Sequence, residues 1–333
     1  EGLAARGYAE DFAQQLCEQI RGFAEYGFPE SHAASFALLV YASAWIKCHH
    51  PAVFTAALLN SQPMGFYAPA QIIEEAKRQG VQVLPVDIRR SHWESRARGR
   101  RVRLGLHQVK GLLRSDVERC LVWREADGNL DPGTLFQDAG VGRQSLEKLA
   151  RAGAFDALLG HRREALWQIL ALCKNTALAL PVASNQPSTL PPPSAQSLCR
   201  DDYQQLGLSL GPHPLTFLRP QLEREGYRSI VQSLRRPSGT KVRVAGLVTH
   251  RQRPSTAHGT VFLTIVDESG SANLIVWPQR VEEWRRPVLH GRLLAVRGRL
   301  EKNGPYVHNI IVEEIQDYST RLSDLRAASR DFQ

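Results

Sequence analysis

Lys241-Val-Arg-Val-Ala-Gly-Leu-Val248, Thr260-Val-Phe-Leu-Thr-Ile-Val266 and Ser271-Ala-Asn-Leu-Ile-Val-Trp277 are three short runs rich in β-branched and aromatic residues. The first alternates apolar and polar positions at its start, the period of a half-buried strand. The turn Asp267-Glu-Ser-Gly270 joins the second run to the third, and Pro278 to Arg286 has the sequence of a short helix. Gly291 to Leu300 and Tyr306 to Ile315 read as a fourth and a fifth strand around the turn Asn303-Gly304. Three strands, a helix and two strands is the order of an OB-fold barrel. Such barrels take single strands by stacking bases on aromatic rings beside basic residues. Phe262, Trp277 and Tyr306 are the candidate platforms, with Arg251, Arg253, Arg297 and Arg299 as candidate phosphate partners. Any one of these rings reads more readily as barrel core than as a platform. The basic stretch Thr249 to Ala257, read as the loop between the first two strands, carries the better functional signal.

The 333 residues are enough for two or three domains with cores of their own. No apolar run approaches the roughly 20 residues of a membrane-spanning helix, and the start has no signal-peptide pattern. The chain opens on Glu1 and reads as a piece of a longer protein. With 42 Lys and Arg against 33 Asp and Glu, the net charge of +9 suits a polyanionic partner, nucleic acid above all. The five cysteines, Cys17, Cys48, Cys120, Cys173 and Cys199, are scattered and never in a Cys-x-x-Cys pair, which argues against a disulfide framework or a structural zinc and fits a reducing cytoplasm. No metal is expected at Cys48-His49-His50, because consecutive residues on a helix point in different directions.

Upstream of the barrel the sequence reads as mostly helical. A dense run, Arg89, Arg90, Arg96, Arg98, Arg100, Arg101 and Arg103, is opposed internally only by Glu94. It is either a solvated loop or a phosphate-holding one, since guanidinium groups grip phosphates through forked, permanently charged hydrogen bonds. Gly105 to Val122 reads as an apolar helix, a Lys110-Gly111 turn and a second helix. Gly140-Val141-Gly142 opens a second such unit, with Gln144 onward helical. Two glycine turns, each feeding a helix N-terminus, match tandem helix–hairpin–helix units, whose turn amides cradle a backbone phosphate. Lys110, Gly111, Gly140, Gly142 and Arg143, with Arg98, Arg100, Arg101 and Arg103, are the duplex-binding candidates. Thr176 to Ser197 has the composition of a Pro-rich linker.

Gly27 to Pro51 reads as one helix, with Pro29 and Ser31 as entry residues and Pro51 disfavouring helical geometry at His50. Apolar nearly all round through Phe36, Leu38, Leu39, Val40, Tyr41, Trp45 and Ile46, it is expected to be buried among other helices.

Ser31-His-Ala-Ala-Ser-Phe-Ala-Leu-Leu-Val-Tyr-Ala-Ser-Ala-Trp-Ile-Lys47 and His49 to Ser61 resemble the fingers region of bacterial C-family DNA polymerases, in the error-prone branch that serves damage-induced mutagenesis. Asn60 to Tyr67, Gly80 to Ile88, Val244 to Thr249, Val261 to Gly270, Ala272 to Pro278 and Ser329 to Phe332 are similar to the same branch. The resemblance implies a multidomain α+β protein, mostly helical at first (fingers remnant plus tandem helix–hairpin–helix) and ending in a five-stranded OB-fold barrel. The implied division is fingers remnant 1–90, helix–hairpin–helix region 91–175, linker 176–198, connector 199–238, barrel 239–318 and tail 319–333. It also implies that Ser31, His32 and Lys47 approach the incoming nucleotide or template, that the hairpins hold upstream duplex, and that the barrel takes single-stranded template. The family's Mg²⁺-binding palm carboxylates find no counterpart here, so this stretch is expected to bind DNA without polymerising it. Implied partners are primer–template and single-stranded DNA, a mutasome accessory protein and, through it, the sliding clamp, in a cytoplasmic, nucleoid-associated setting without membrane. Gln205-Leu-Gly-Leu208 begins like a clamp-binding peptide but belongs to the connector. A non-catalytic DNA-binding module, or a platform for a mutasome partner, is the alternative.

Overall fold

A computed structural model describes residues 9, 11–12, 14–18, 30–65, 67–174, 190–304, 307–322 and 330–332. Pro29, most of the Pro-rich stretch, Tyr306 and the side chain of Ser31 lie outside the described residues.

Helix α1 runs Glu30–His49 and α2 runs Pro51–Asn60. His50, at φ −132° and ψ 54°, breaks between them, and Pro51 takes the first position of α2, where its missing N–H costs nothing. The expected burial of α1 is not found. Leu38 is 71% exposed, Tyr41 72% and Leu39 60%, and the described residues place no element broadly along it beyond α2. A helix apolar on every side gives no periodicity from which a buried face could be read. Its far end is tied down by an ion pair, Lys47 Nζ to Glu75 Oε1 at 2.9 Å, onto α3 (Pro69–Arg78).

A small sheet follows, ordered β1 (Gln82–Leu84), β3 (Arg101–Arg103), β2 (Arg96–Arg98). Helices α4 (Arg114–Ala126), α5 (Pro132–Gln137), α6 (Arg143–Arg151), α7 (Asp156–Leu159) and α8 (Arg162–Lys174) surround one core of fully buried side chains, among them Leu59, Ile73, Leu104, Leu146, Leu149 and Phe155. The apolar helix expected before Lys110 is only a single 3₁₀ turn, Leu106–Gln108. Gly105 precedes it in extended geometry, where a Cβ would collide with the backbone of Trp93 to Ser95.

Ser194 caps α9 (Ala195–Gln205), accepting from Ser197 N, so helix resumes inside the stretch read as linker. Leu206 and Leu208 are buried in the helical core, which removes Gln205-Leu-Gly-Leu208 from any clamp-binding role. The same core therefore takes up the beginning of the connector.

The barrel is as expected. Strands β4 (Lys241–Gln252), β5 (Val261–Val266), β6 (Ser271–Val276), β7 (Leu293–Asn303) and β8 (Val307–Asp317) pair β5-β6-β8-β7-β4, and a β4–β5 ladder closes the ring. Two short helices lie between β6 and β7, α12 (Pro278–Glu283) and α13 (Arg285–His290), where one was expected. In the connector, α10 (Pro214–Arg224) and α11 (Ile230–Leu234) are locked to the barrel by Asp267, whose side chain is fully buried. Asp267 Oδ2 receives Arg219 Nη2 at 2.9 Å and Ile230 N at 2.8 Å, while Oδ1 accepts from Ser269 N and Gly270 N. A further short strand, β9 (Arg330–Phe332), adds to β4 in parallel.

Candidate nucleic-acid interface

The arginine run is not a loop. Ala97 and Val102 face each other across β2 and β3, with Val102 fully buried, and this apolar pair turns the alternate positions outward. Arg96 therefore opposes Arg103, and Arg98 opposes Arg101. Like charges directly across a ladder are destabilising, so the hairpin is held from behind. Arg100 donates to Gln79 O, and Arg103 Nη1 to Pro85 O at 3.0 Å. Burial, with Arg90 and Arg89 nearby, lowers the Arg103 pKa against the opposing pull of Asp87. Burial, then Arg96 and Arg124, lowers that of His92.

The two glycine turns lie against one another. Gly111 (φ +66°) and Gly140 (φ +67°) sit in the left-handed region that their turns require. Each turn is tied by a cation from the other unit's helix: Lys148 on α6 donates to Gly111 O, and Arg119 on α4 donates to Gly140 O at 2.9 Å. Asp116, buried in the first turn of α4, accepts from Ser145 Oγ on α6. Gly142 is the residue before α6, where a Cβ would press to 3.1 Å from Asp116 Oδ2. Lys148, Arg119, Asp116 and Ser145 were not singled out from sequence, because their partners come from the other unit.

Other duplex candidates are partly engaged. Lys110 caps the last turn of α9, its N–H on Gln205 O at 2.8 Å and its Nζ on Tyr203 O at 3.1 Å. Arg143, exposed at the start of α6, pairs with Glu147 Oε1 at 2.7 Å.

On the barrel, Phe262 lies on the outer wall of β5, 37% exposed, and Trp277 follows the end of the adjacent β6 as the residue before α12, 49% exposed. Gln252, exposed, pairs with Phe262, which pairs in turn with Ile275. Arg253 follows at the rim, also exposed. Arg251 does not belong to this set. Strand β4 continues to Gln252 instead of ending at Val248, and an irregularity between Val248 and His250 turns Arg251 inward. There it is 6% exposed and donates to Val288 O and Gly291 O, each at 2.7 Å. It joins α13 to the barrel rather than presenting a surface cation. Arg297 and Arg299 face outward on β7, 3.5 Å from Glu314 and 3.9 Å from Glu313. Three strand spacings, about 14 Å, separate Arg299 from Phe262 around the wall.

The fingers candidates are not brought together. His32 stacks on Phe36, with ring centroids 4.4 Å apart, while Lys47 pairs with Glu75. Fifteen helical residues set them about 22 Å apart.

A helix-hairpin-helix motif model matches residues 80–165, and a model of an OB-fold nucleic acid binding domain matches residues 242–318. Over its whole length the chain is similar to error-prone DNA polymerases. It is 46% identical over 343 residues to that of Alkalilimnicola ehrlichii, covering all of this chain and 33% of the relative. It is 46% identical to that of an Azoarcus species, covering 32% of it, and 42% identical to that of Pseudomonas syringae pv. tomato, covering 33%. The chain thus spans about a third of the length of these relatives. A solved asparaginyl-tRNA synthetase from Pyrococcus horikoshii aligns with 28% of this chain and 22% of its own, at 23% identity and a TM-score of 0.25. The full-length similarity to error-prone DNA polymerases and the two domain models bear out the resemblance seen in the sequence.

Proposed function

We propose that this chain is the DNA-gripping portion of an error-prone DNA polymerase that extends primers across or beyond damaged template. The observation that carries the reading is the interlocked pair of glycine turns beside the arginine hairpin. Two φ-positive turns feed helix N-termini, which favour phosphate. The outward-facing pairs Arg96–Arg103 and Arg98–Arg101 supply repelling positive charge that a polyanion relieves. In this reading the turns and Arg98, Arg100, Arg101, Arg103 and Arg143 hold duplex upstream of the primer end. The barrel wall around Phe262, Trp277 and Arg253 takes single-stranded template by stacking.

Polymerisation belongs to the rest of the parent enzyme. The Mg²⁺ ions of two-metal nucleotidyl transfer are assigned in this reading to the parent's palm. Among the described residues no three His, Cys, Asp or Glu side chains are grouped to hold a metal ion. No catalytic step is assigned to these residues. His32 and Lys47 approach nucleotide or template only as part of the assembled fingers, and clamp contact passes through a mutasome accessory protein. No described helix is long and apolar enough to cross a membrane.

The test is fluorescence-anisotropy binding of the chain to primer–template, blunt duplex and single strand across a salt series. Binding whose log K falls linearly with log salt, by about 0.9 per duplex phosphate neutralised, is the expected result. Absence of binding at low salt would overturn the reading.

A further inference from the structure

The start of α3 meets the outer wall of the barrel at His250. Gln71 Oε1 accepts from Ala68 N at 2.9 Å, so the amide oxygen is engaged within its own helix start. The other end of the amide, Gln71 Nε2, meets His250 Nδ1 on β4 at 3.2 Å. Tyr67, just before α3, brings its ring centroid to 6.2 Å from that of His250. The two planes stand at 78°, so neither ring stacks on the other, and Tyr67 remains 60% exposed.

This seam lies beside Phe262. Residues paired across a ladder share one side of the sheet. His250 pairs with Thr264, and Thr264 with Asn273, which makes a polar row across β4, β5 and β6. Arg251 and Leu263, the pair next along the ladder, are both buried, so the polar row faces outward. Phe262 stands on the same outer side of β5, two residues or about 7 Å from Thr264. Thr264 Oγ1 donates to Asn273 Oδ1 at 3.2 Å, and the exposed Asn273 keeps its amide N–H groups without a partner among the described residues.

The geometry points to a seam site for single-stranded DNA, in which Tyr67 is a second stacking platform and the row His250, Thr264, Asn273 lies between it and Phe262. This rests on the proposal that the barrel binds single strands, and it carries the strand off the barrel onto the helical part of the chain. The occupant is a single strand and not an apolar peptide, because the surface between the two rings is made of hydroxyl, imidazole and amide groups. Unstacked bases offer both the faces that rings take and the edges that such groups hydrogen-bond.

The experiment compares the 333-residue chain with Tyr67→Ala, Tyr67→Phe and Phe262→Ala variants. It reads anisotropy with a labelled oligothymidylate and with a blunt duplex, after melting curves show each variant folded. Tyr67→Ala is expected to weaken single-strand binding by about 5-fold or more, the lower end of what a lost stacking contact costs. Duplex binding should be unchanged, and Tyr67→Phe should keep the parent affinity, since the ring and not the hydroxyl makes the contact. Ultraviolet crosslinking of an oligonucleotide carrying 5-iodouracil, mapped by mass spectrometry, should join Tyr67 directly, which a merely structural role would not do. If Phe262→Ala weakens binding while Tyr67→Ala does not, the strand stays on the barrel and the inference fails alone. If neither variant alters single-strand binding, the barrel-binding reading fails with it. Weakening by Tyr67→Ala without a crosslink would make Tyr67 a prop for His250 and also overturn the inference.

Discussion

Lys148 donates a hydrogen bond to the carbonyl of Gly111, and Arg119 returns the same favour to Gly140, so each hairpin turn is held by the helix of the other unit. The two turns are thereby cross-tied through α4 and α6. Between them, buried Asp116 accepts from buried Ser145 and from the exposed Arg119.

Replacing Asp116 with Ala should cost about 1–3 kcal/mol, the penalty for leaving a buried donor unsatisfied. Thermal melting reads this loss. Primer–template affinity below the melting range should fall as well, because the turns lose their common register.

Arg98→Gln with Arg101→Gln removes one cross-strand pair of like charges. The salt dependence of duplex binding should become shallower by up to about 1.8 in log–log slope, two phosphates' worth. Melting temperature should hold or rise as repulsion is relieved. A steepened slope would exclude this hairpin from the duplex contact.

Arg251 and Arg253, two residues apart, should behave oppositely. Arg251→Ala leaves the Val288 and Gly291 carbonyls without their donor and is expected to lower stability by about 1–3 kcal/mol. Arg253→Ala should leave the melting curve in place and weaken single-strand binding. Denaturation and anisotropy on the same samples separate the two effects.

Phe262→Ala and Trp277→Ala should each weaken single-strand binding by about 1–3 kcal/mol without destabilising the barrel, since both rings are substantially exposed. Intact oligonucleotide binding with lost capture of a mutasome partner would instead make this wall a protein-docking platform.

Burial pushes the Asp156 carboxyl up to about 6, in spite of Arg162 beside it. Its folded-state pKa thus lies above its ordinary 3.8, and the folded chain binds the extra proton between those values. Stability should therefore fall as pH rises from about 4 to 6, the sign that linkage gives when the native state holds more protons. Melting temperatures across that range should show a flatter profile for Asp156→Asn than for the parent chain.

The barrel was legible because its strand periodicity and turn residues are local signals, and Pro51 marked the break between α1 and α2 for the same reason. Arg251 was misread because a single irregularity near Val248 inverts which side chains face inward, and nothing in the adjacent sequence announces it. The arginine run hid a hairpin because its only apolar anchors, Ala97 and Val102, are two residues among many charges. Reciprocal ties such as Lys148 to Gly111 join residues 37 apart and exist only once both units have folded. Helix α1 misled in the other direction, since an all-round apolar sequence states that burial is wanted without stating against what.

Arg162 reaches Asp202 at 2.6 Å, and Leu206 and Leu208 return to the core that α8 helps to enclose. Helices α8 and α9 thus belong to one body. The short passage from Leu208 to Pro214 connects that body to α10 and so to the barrel. In the proposed reading, a single residue inserted there would shift the glycine turns relative to the barrel wall, and with them the length of template that the two hold at once.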